Sequence, residues 1–162
     1  MDKKLTEALN KQINNEFYSA YLYLSMAAYF DSVSLEGSAK WMKAQAKEEI
    51  SHAMKLYGFL NDRGEQVILA QIGKPPSKFA SPQDVFKKSL AHEKGVTATI
   101  NKLYDLANKV KDTPAIVILQ WYITEQVEEE KSATVVLEKL KMIPSNSPAL
   151  LMLDAELGRR EG

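Results

Sequence analysis

Lys47-Glu48-Glu49-Ile50-Ser51-His52-Ala53 sets an acid and an imidazole three residues apart. On a helix that spacing is one turn, so Glu49 and His52 share a face. The rest of that face is apolar: Met42, Ala46, Ala53, Leu56 and Leu60 fall on the same side. Working outward, the register recurs. Glu16 stands 33 residues before Glu49, Glu93 stands 33 before Gln126, and Glu129 follows Gln126 by three, as His52 follows Glu49. Each of Glu16, Glu49 and His52 precedes its counterpart by 77 residues.

The flanking patterns are helical. A first helix reads from about Leu5 to Val33, with Leu5, Leu9, Ile13, Ala20, Tyr23 and Ala27 within about 60° of Glu16 at 100° per residue. The second runs from about Glu36 to Arg63, with Gly64 as its C-cap. The third starts at Ser81-Pro82 and places Phe86, Leu90, Thr97, Ile100, Tyr104 and Ala107 on the face of Glu93. The fourth starts at Thr113-Pro114 and places Ala115, Ile118, Tyr122, Ala133, Val136 and Leu140 on the face of Glu129. A short fifth helix starts at Ser147-Pro148.

Connection lengths set the topology. Short links make helices one and two antiparallel, and likewise three and four. Between two and three lies Gly64 to Ala80. Seventeen extended residues reach about 55 Å, and a 28-residue helix is about 42 Å long, so this segment can cross the whole bundle. The expected fold is all-α: a single domain over residues 1–162, a four-helix bundle with one long crossover between helices two and three, plus a short fifth C-terminal helix.

A lone Glu on an apolar face ordinarily snorkels or pairs with a Lys. Four, each central to its stripe and with no Lys or Arg beside it, would cost several kcal/mol apiece if buried charged and unpaired. Two divalent cations balance four carboxylates, with His52 as a neutral ligand. Oxygen-rich ligation with one imidazole suits iron or manganese. The ligands are too few to fill two octahedral shells, which leaves positions for O₂ or water.

Composition narrows the alternatives. Lys plus Arg equals Asp plus Glu at 21 each, so no basic surface points to nucleic acid or an anionic membrane. The absence of cysteine excludes disulfides, Cys-type zinc sites and iron–sulfur clusters. Met1-Asp2-Lys3-Lys4 leads into an amphipathic stretch rather than a signal core, and no apolar run spans a bilayer, so a cytoplasmic protein is expected.

Asn15-Glu16-Phe17-Tyr18-Ser19-Ala20-Tyr21-Leu22-Tyr23-Leu24, the Glu49 segment above, His92-Glu93 and Gln120-Trp121-Tyr122-Ile123-Thr124-Glu125-Gln126-Val127-Glu128-Glu129-Glu130 together resemble the four helices of a haem-free prokaryotic ferritin, a member of the ferritin-like di-iron carboxylate family. The resemblance covers essentially the whole chain. It implies an iron-storage protein with ferroxidase activity, oxidising Fe(II) with O₂ or peroxide. Glu16, Glu49 and His52 would bind the first iron, and Glu49 would bridge to a second held by Glu93 and Glu129. Gln126 would lie on the O₂ side, and Glu48, Glu125, Glu128 and Glu129 match a third iron position. On angle alone Glu125 faces inward, whereas Glu48 and Glu128 lie about 100° off their stripes and read equally as solvated flank acids. Ile50 and Ser51 stand where bacterioferritins would carry a haem-ligating Met, so haem is not expected, and without cysteine there is no rubredoxin-like tail.

Tyr23 shares the face of Glu16 and either hydrogen-bonds a ligand or donates an electron, or is a core tyrosine with a satisfied hydroxyl. Trp121 reads either as a redox neighbour or, with preference, as interhelical filler, and His92 reads as a surface residue. Tyr18, Leu22, Ser25 and Tyr29 form a second stripe opposite Glu16 that needs a cover: a partner subunit, the crossover, or both. The resemblance implies a hollow shell of twenty-four subunits built from dimers, with the fifth helix lining symmetry-axis channels. Two other readings compete. One is a small-oligomer di-iron oxidase or peroxide-scavenging enzyme. The other is a metal-free interaction module with its acids held by basic residues.

Overall fold

In the computed structural model, which describes residues 1–161, the chain forms five helices and no strand among the described residues. They are α1 (Lys3–Ser32), α2 (Glu36–Asp62), α3 (Pro82–Lys109), α4 (Thr113–Lys141) and α5 (Ala149–Leu157). The expected start of α3 is present: Ser81 Oγ accepts the Asp84 amide at 3.1 Å and Pro82 opens the first turn. At α4 the cap sits one residue earlier than expected. Asp112, not Thr113, accepts the Ala115 amide at 3.1 Å. The same carboxylate takes a two-pronged bond from Arg63 at 2.8 and 3.0 Å, which ties the end of α2 to the start of α4.

The crossover runs along α1, as its length allows. Asn10 binds the backbone of Gln66 and Ile68, Asn14 reaches Gln71 O, and Ser25 Oγ donates to Pro76 O at 2.6 Å. It therefore starts near the N-terminal end of α1 and finishes near the C-terminal end, so α2 and α3 run parallel. The second stripe of α1 is thus partly covered within the chain: Leu22 is buried, and Tyr29 packs on Phe79. Ile68, Leu69, Tyr21 and Leu24 remain on the outer surface, each about half exposed or more.

The 77-residue offset reappears in the backbone. Ser34 and Lys111 both adopt positive φ, at 59° and 58°. The bond from Leu35 N to Phe30 O has its counterpart from Asp112 N to Ala107 O, each 3.0 Å. The two helical hairpins turn in the same way, although side chains outside the ligand positions rarely match.

The interior is divided. One apolar cluster gathers Met26, Phe30, Met42, Phe86, Leu137 and their neighbours. Another gathers Leu5, Leu9, Ile13, Leu56, Leu60, Ile100 and Leu119 with theirs. Between them, at mid-bundle, lies a polar layer contributed by all four long helices. α5 folds back on α2, burying Leu153 and Leu157. Its Asp154 carboxylate accepts the amides of Gly37 (3.0 Å) and Ser38 (2.7 Å) and the Ser38 hydroxyl (2.6 Å), capping the α2 N-terminus.

Candidate metal centre

Glu16 from α1, Glu49 and His52 from α2, Glu93 from α3 and Gln126 and Glu129 from α4 make up the polar layer, and none is more than 6% exposed. Apolar residues one and two turns away bury each helix face, and the acid at the middle of the face is carried in with them. Three groups bring ligand atoms within 4.8 Å of one another: Glu16, Glu49 and His52; Glu49, Glu93 and Glu129; and His52, Glu125 and Glu129. The groups share members, so they describe one connected cluster rather than separate sites.

Burial and mutual repulsion raise the proton affinity of Glu16, Glu49 and Glu129. Glu16 is pushed well up by desolvation and by Glu49. Glu49 is pushed well up by desolvation, then by Glu93 and Glu129. Glu129 is raised to about 7, again by burial first and Glu93 second. In the metal-free protein this layer therefore retains protons that unfolded glutamates would release. His52 Nδ1 lies 3.4 Å from Glu49 Oε2, and its Nε2 lies 3.8 Å from Glu125 Oε1.

A collar of polar side chains holds the acids. Gln12 Nε2 donates to Glu16 at 2.8 Å, and Gln45 Nε2 donates to Glu49 at 3.3 Å and Glu129 at 2.5 Å. Tyr23 donates to Glu93 and lies 3.1 Å from Ser89 Oγ. Tyr122 fixes the His52 backbone by donating to its carbonyl at 2.6 Å. The helix faces alone do not single out Gln12, Gln45 and Ser89, yet a signal exists. Gln12, Gln45, Ser89 and Tyr122 stand four residues before Glu16, Glu49, Glu93 and Gln126, and so repeat the offsets of 33 and 77. The donor set fits divalent cations. It is rich in carboxylate oxygen with one imidazole, and Gln45 Oε1 is buried without a partner beside two of the acids.

The other expected site residues are placed as follows. Gln126 is buried and donates to Glu93 Oε2 (3.1 Å), Glu93 O (3.2 Å) and Thr97 (3.3 Å), so it steers the Glu93 carboxylate. Tyr23 is a fully buried tyrosine whose hydroxyl is satisfied on Glu93, and burial together with that charge raises its pKa. Glu125 is half-buried beside His52 and Glu129. Glu48 is paired with Arg160, and Glu128 is exposed in a groove with Lys131, Arg159 and Arg160. Neither joins a ligand group. Two surroundings differ from expectation. His92 is not a free surface residue: it sits in the α1–α3 groove, 2.7 Å from Ser19 Oγ and against the Tyr18 and Tyr23 rings, and burial lowers its pKa. It lies off the inward stripe on the side facing α1. Trp121 is not interhelical filler: it is 37% exposed, edge-on to His52 and Tyr122, with Lys55 Nζ 4.1 Å above its ring.

Comparison with known proteins accords with this geometry. Residues 6–143 match the ferritin family, described as a ferritin-like domain. A bacterial non-heme ferritin from Staphylococcus saprophyticus is 42% identical over 160 residues, covering 99% of this chain and 96% of that protein. One from Staphylococcus aureus is 40% identical over the same shares of both. The crystal structure of an open pore ferritin from Archaeoglobus fulgidus superposes with a TM-score of 0.98 at 48% identity, covering 99% of this chain and 98% of that one. The chain belongs to the ferritin family, alongside its haem-free bacterial and archaeal members.

Proposed function

We propose that this chain stores iron and oxidises it on entry, taking Fe(II) and O₂ or peroxide as substrates of a ferroxidase centre. The observation that carries the reading is the mid-bundle convergence of ligand groups that share Glu49, His52 and Glu129. In this reading Glu16, Glu49 and His52 hold one iron, Glu49 bridges, and Glu93 and Glu129 hold the second. Glu48, Glu125, Glu128 and Glu129 are the residues that match a third iron position. Haem has no part in it. Four carboxylates neutralise two Fe(II) ions and favour Fe(III), the more highly charged product. Gln12, Gln45, Gln126 and Tyr23 keep the carboxylates aimed at the cavity and return hydrogen bonds as the charge changes. Protons held by Glu16, Glu49 and Glu129 leave when cations enter, so loading acidifies an unbuffered solution.

Storage also needs a closed particle. The similarity to ferritins and the exposed strip of Ile68, Leu69, Tyr21 and Leu24 support subunits that pair along α1 and the crossover and then assemble into a hollow shell, taken as twenty-four copies. No helix among the described residues is long and apolar enough to cross a membrane, which suits the proposed place in the cytoplasm. Apoprotein mixed with Fe(II) in air is expected to give a transient visible absorbance and then a soluble ferric product. Glu49→Ala and His52→Ala should slow this about a hundredfold or more. Unchanged rates in both variants would discard the ferroxidase reading. A small oligomer by electron microscopy, with the chemistry intact, would favour a di-iron oxidase instead.

A further inference from the structure

The two hairpins share a register but not its residues. Shifted by 77, Glu16 meets Glu93 and Glu49 meets Gln126, and the residues one turn further on change with them: Ala20 meets Thr97, and Ala53 meets Glu130. The first hairpin has two acids in this register, each followed by a methyl group. The second has an acid followed by a hydroxyl and an amide followed by an acid. The carboxylate missing at Gln126 stands one turn away, in half-buried Glu130.

These residues are joined. Thr97 Oγ1 donates to Glu130 Oε1 at 2.6 Å, and Gln126 Nε2 donates to Thr97 Oγ1 (3.3 Å), Glu93 Oε2 (3.1 Å) and the Glu93 carbonyl (3.2 Å). A hydroxyl has one hydrogen. With that hydrogen on Glu130, Thr97 offers Gln126 only lone pairs. An amide turned the other way would set oxygen against oxygen at all three contacts. Tyr23 holds the other oxygen of Glu93. Glu16 is supported differently: Gln12, four residues before it, donates to it directly. Ser89, the counterpart of Gln12, turns to the Tyr23 hydroxyl instead.

We infer that Thr97 and Glu130 are positioning residues for one of the two metal positions: they hold the Gln126 amide on Glu93 and so aim that carboxylate. This rests on the metal-centre reading above. Glu93 belongs to one ligand group alone, with Glu49 and Glu129, so what acts through Glu93 acts on that position and spares the one formed by Glu16, Glu49 and His52. The lock matters most once a cation is bound. A cation on Glu93 draws off its charge, and Oε2 then holds the amide less firmly. Thr97 and the Glu93 carbonyl keep the amide in place. Glu130 stays outside every ligand group and reaches the centre only through these hydrogen bonds. The two positions are therefore unequal by construction, although the register is shared.

Anaerobic calorimetric titration of the metal-free full chain with Fe(II) tests this. The unaltered chain is expected to show two binding steps, the one lost in His52→Ala marking the Glu16, Glu49 and His52 position. Thr97→Val keeps the shape of the side chain and removes the hydroxyl. It should weaken the other step about tenfold or more and leave the His52 step unchanged. Thr97→Ser restores the hydroxyl and should recover the affinity, and Glu130→Ala should reproduce part of the loss. In a Gln126→Leu background Thr97→Val should add nothing, because the link to Glu93 is already cut. Equal weakening of both steps, an unchanged or tighter second step, or fully additive losses in the double variant overturns the inference and leaves the metal centre standing. No tight ion in the unaltered chain removes the metal centre and the inference with it.

Discussion

Glu129 shows how much a single buried acid controls here. Its folded pKa is about 7, against an ordinary value near 4.3 for a free glutamate. Between those values the folded protein binds more protons than the unfolded one, so stability falls as pH rises through that window. Glu16 and Glu49 are shifted in the same direction. Metal-free protein should therefore melt at a lower temperature at pH 8 than at pH 5.5. Glu129→Gln should recover part of the difference, on the order of 2–3 kcal/mol at pH 8. Saturating divalent cation should reverse the slope. A metal-free melting temperature that is flat over this range would show that the acids do not share their charge as described. The ligand-type residues were legible because helical angle alone puts Glu16, Glu49, Glu93 and Glu129 at the centres of apolar stripes. The collar was not, because Gln and Ser have no preferred depth and reveal themselves only through spacing. Trp121 misled because its size suggests a core role, whereas its position on α4 leaves the ring half outside.

At the scale of elements, caps and turns were readable and docking was not. Ser81-Pro82 announces α3 in sequence, and Asp112 caps α4 from a position that Arg63 makes doubly useful. Nothing local announces that α5 lies on the start of α2, since that contact joins residues 116 and 117 apart. Gly37 makes it possible. A Cβ there would lie 1.8 Å from the Asp154 carbonyl oxygen, a backbone atom that cannot step aside. Gly37→Ala should consequently lift α5 from α2 at a cost of about 2 kcal/mol or more. Proteolysis between Met142 and Ala149 should speed up, and the melting temperature should drop. Gly58→Ala, where a Cβ meets nothing within 4 Å, is the matched control and should not destabilise. Equal behaviour of the two variants would mean that α5 is not held by this contact.

For the molecule as a whole, the crossover was legible from length alone: seventeen residues have one way to join parallel helices across a bundle of this height. Which face it would cover was left between a subunit partner and the chain itself. The bonds from Asn10, Asn14 and Ser25 show the chain taking part of that role. What remains outside, Ile68 and Leu69 above all, is apolar enough to need company. Changing both to Lys should shrink the native particle on a sizing column without altering the helical content of the subunit. Retention of the full-size particle would place the pairing surface elsewhere.

The crossover also divides the polar layer between the two hairpins. Everything before it supplies Glu16, Glu49 and His52; everything after it supplies Glu93 and Glu129, with Gln126 beside them. A chain nicked between Gly73 and Lys78 would become two hairpins, each keeping its own left-handed turn and bringing half of a chelate. Cations would then act as a weld across the cut. The severed halves should stay together in the presence of metal and part more readily when a chelator strips it, at denaturant concentrations that leave the intact chain folded.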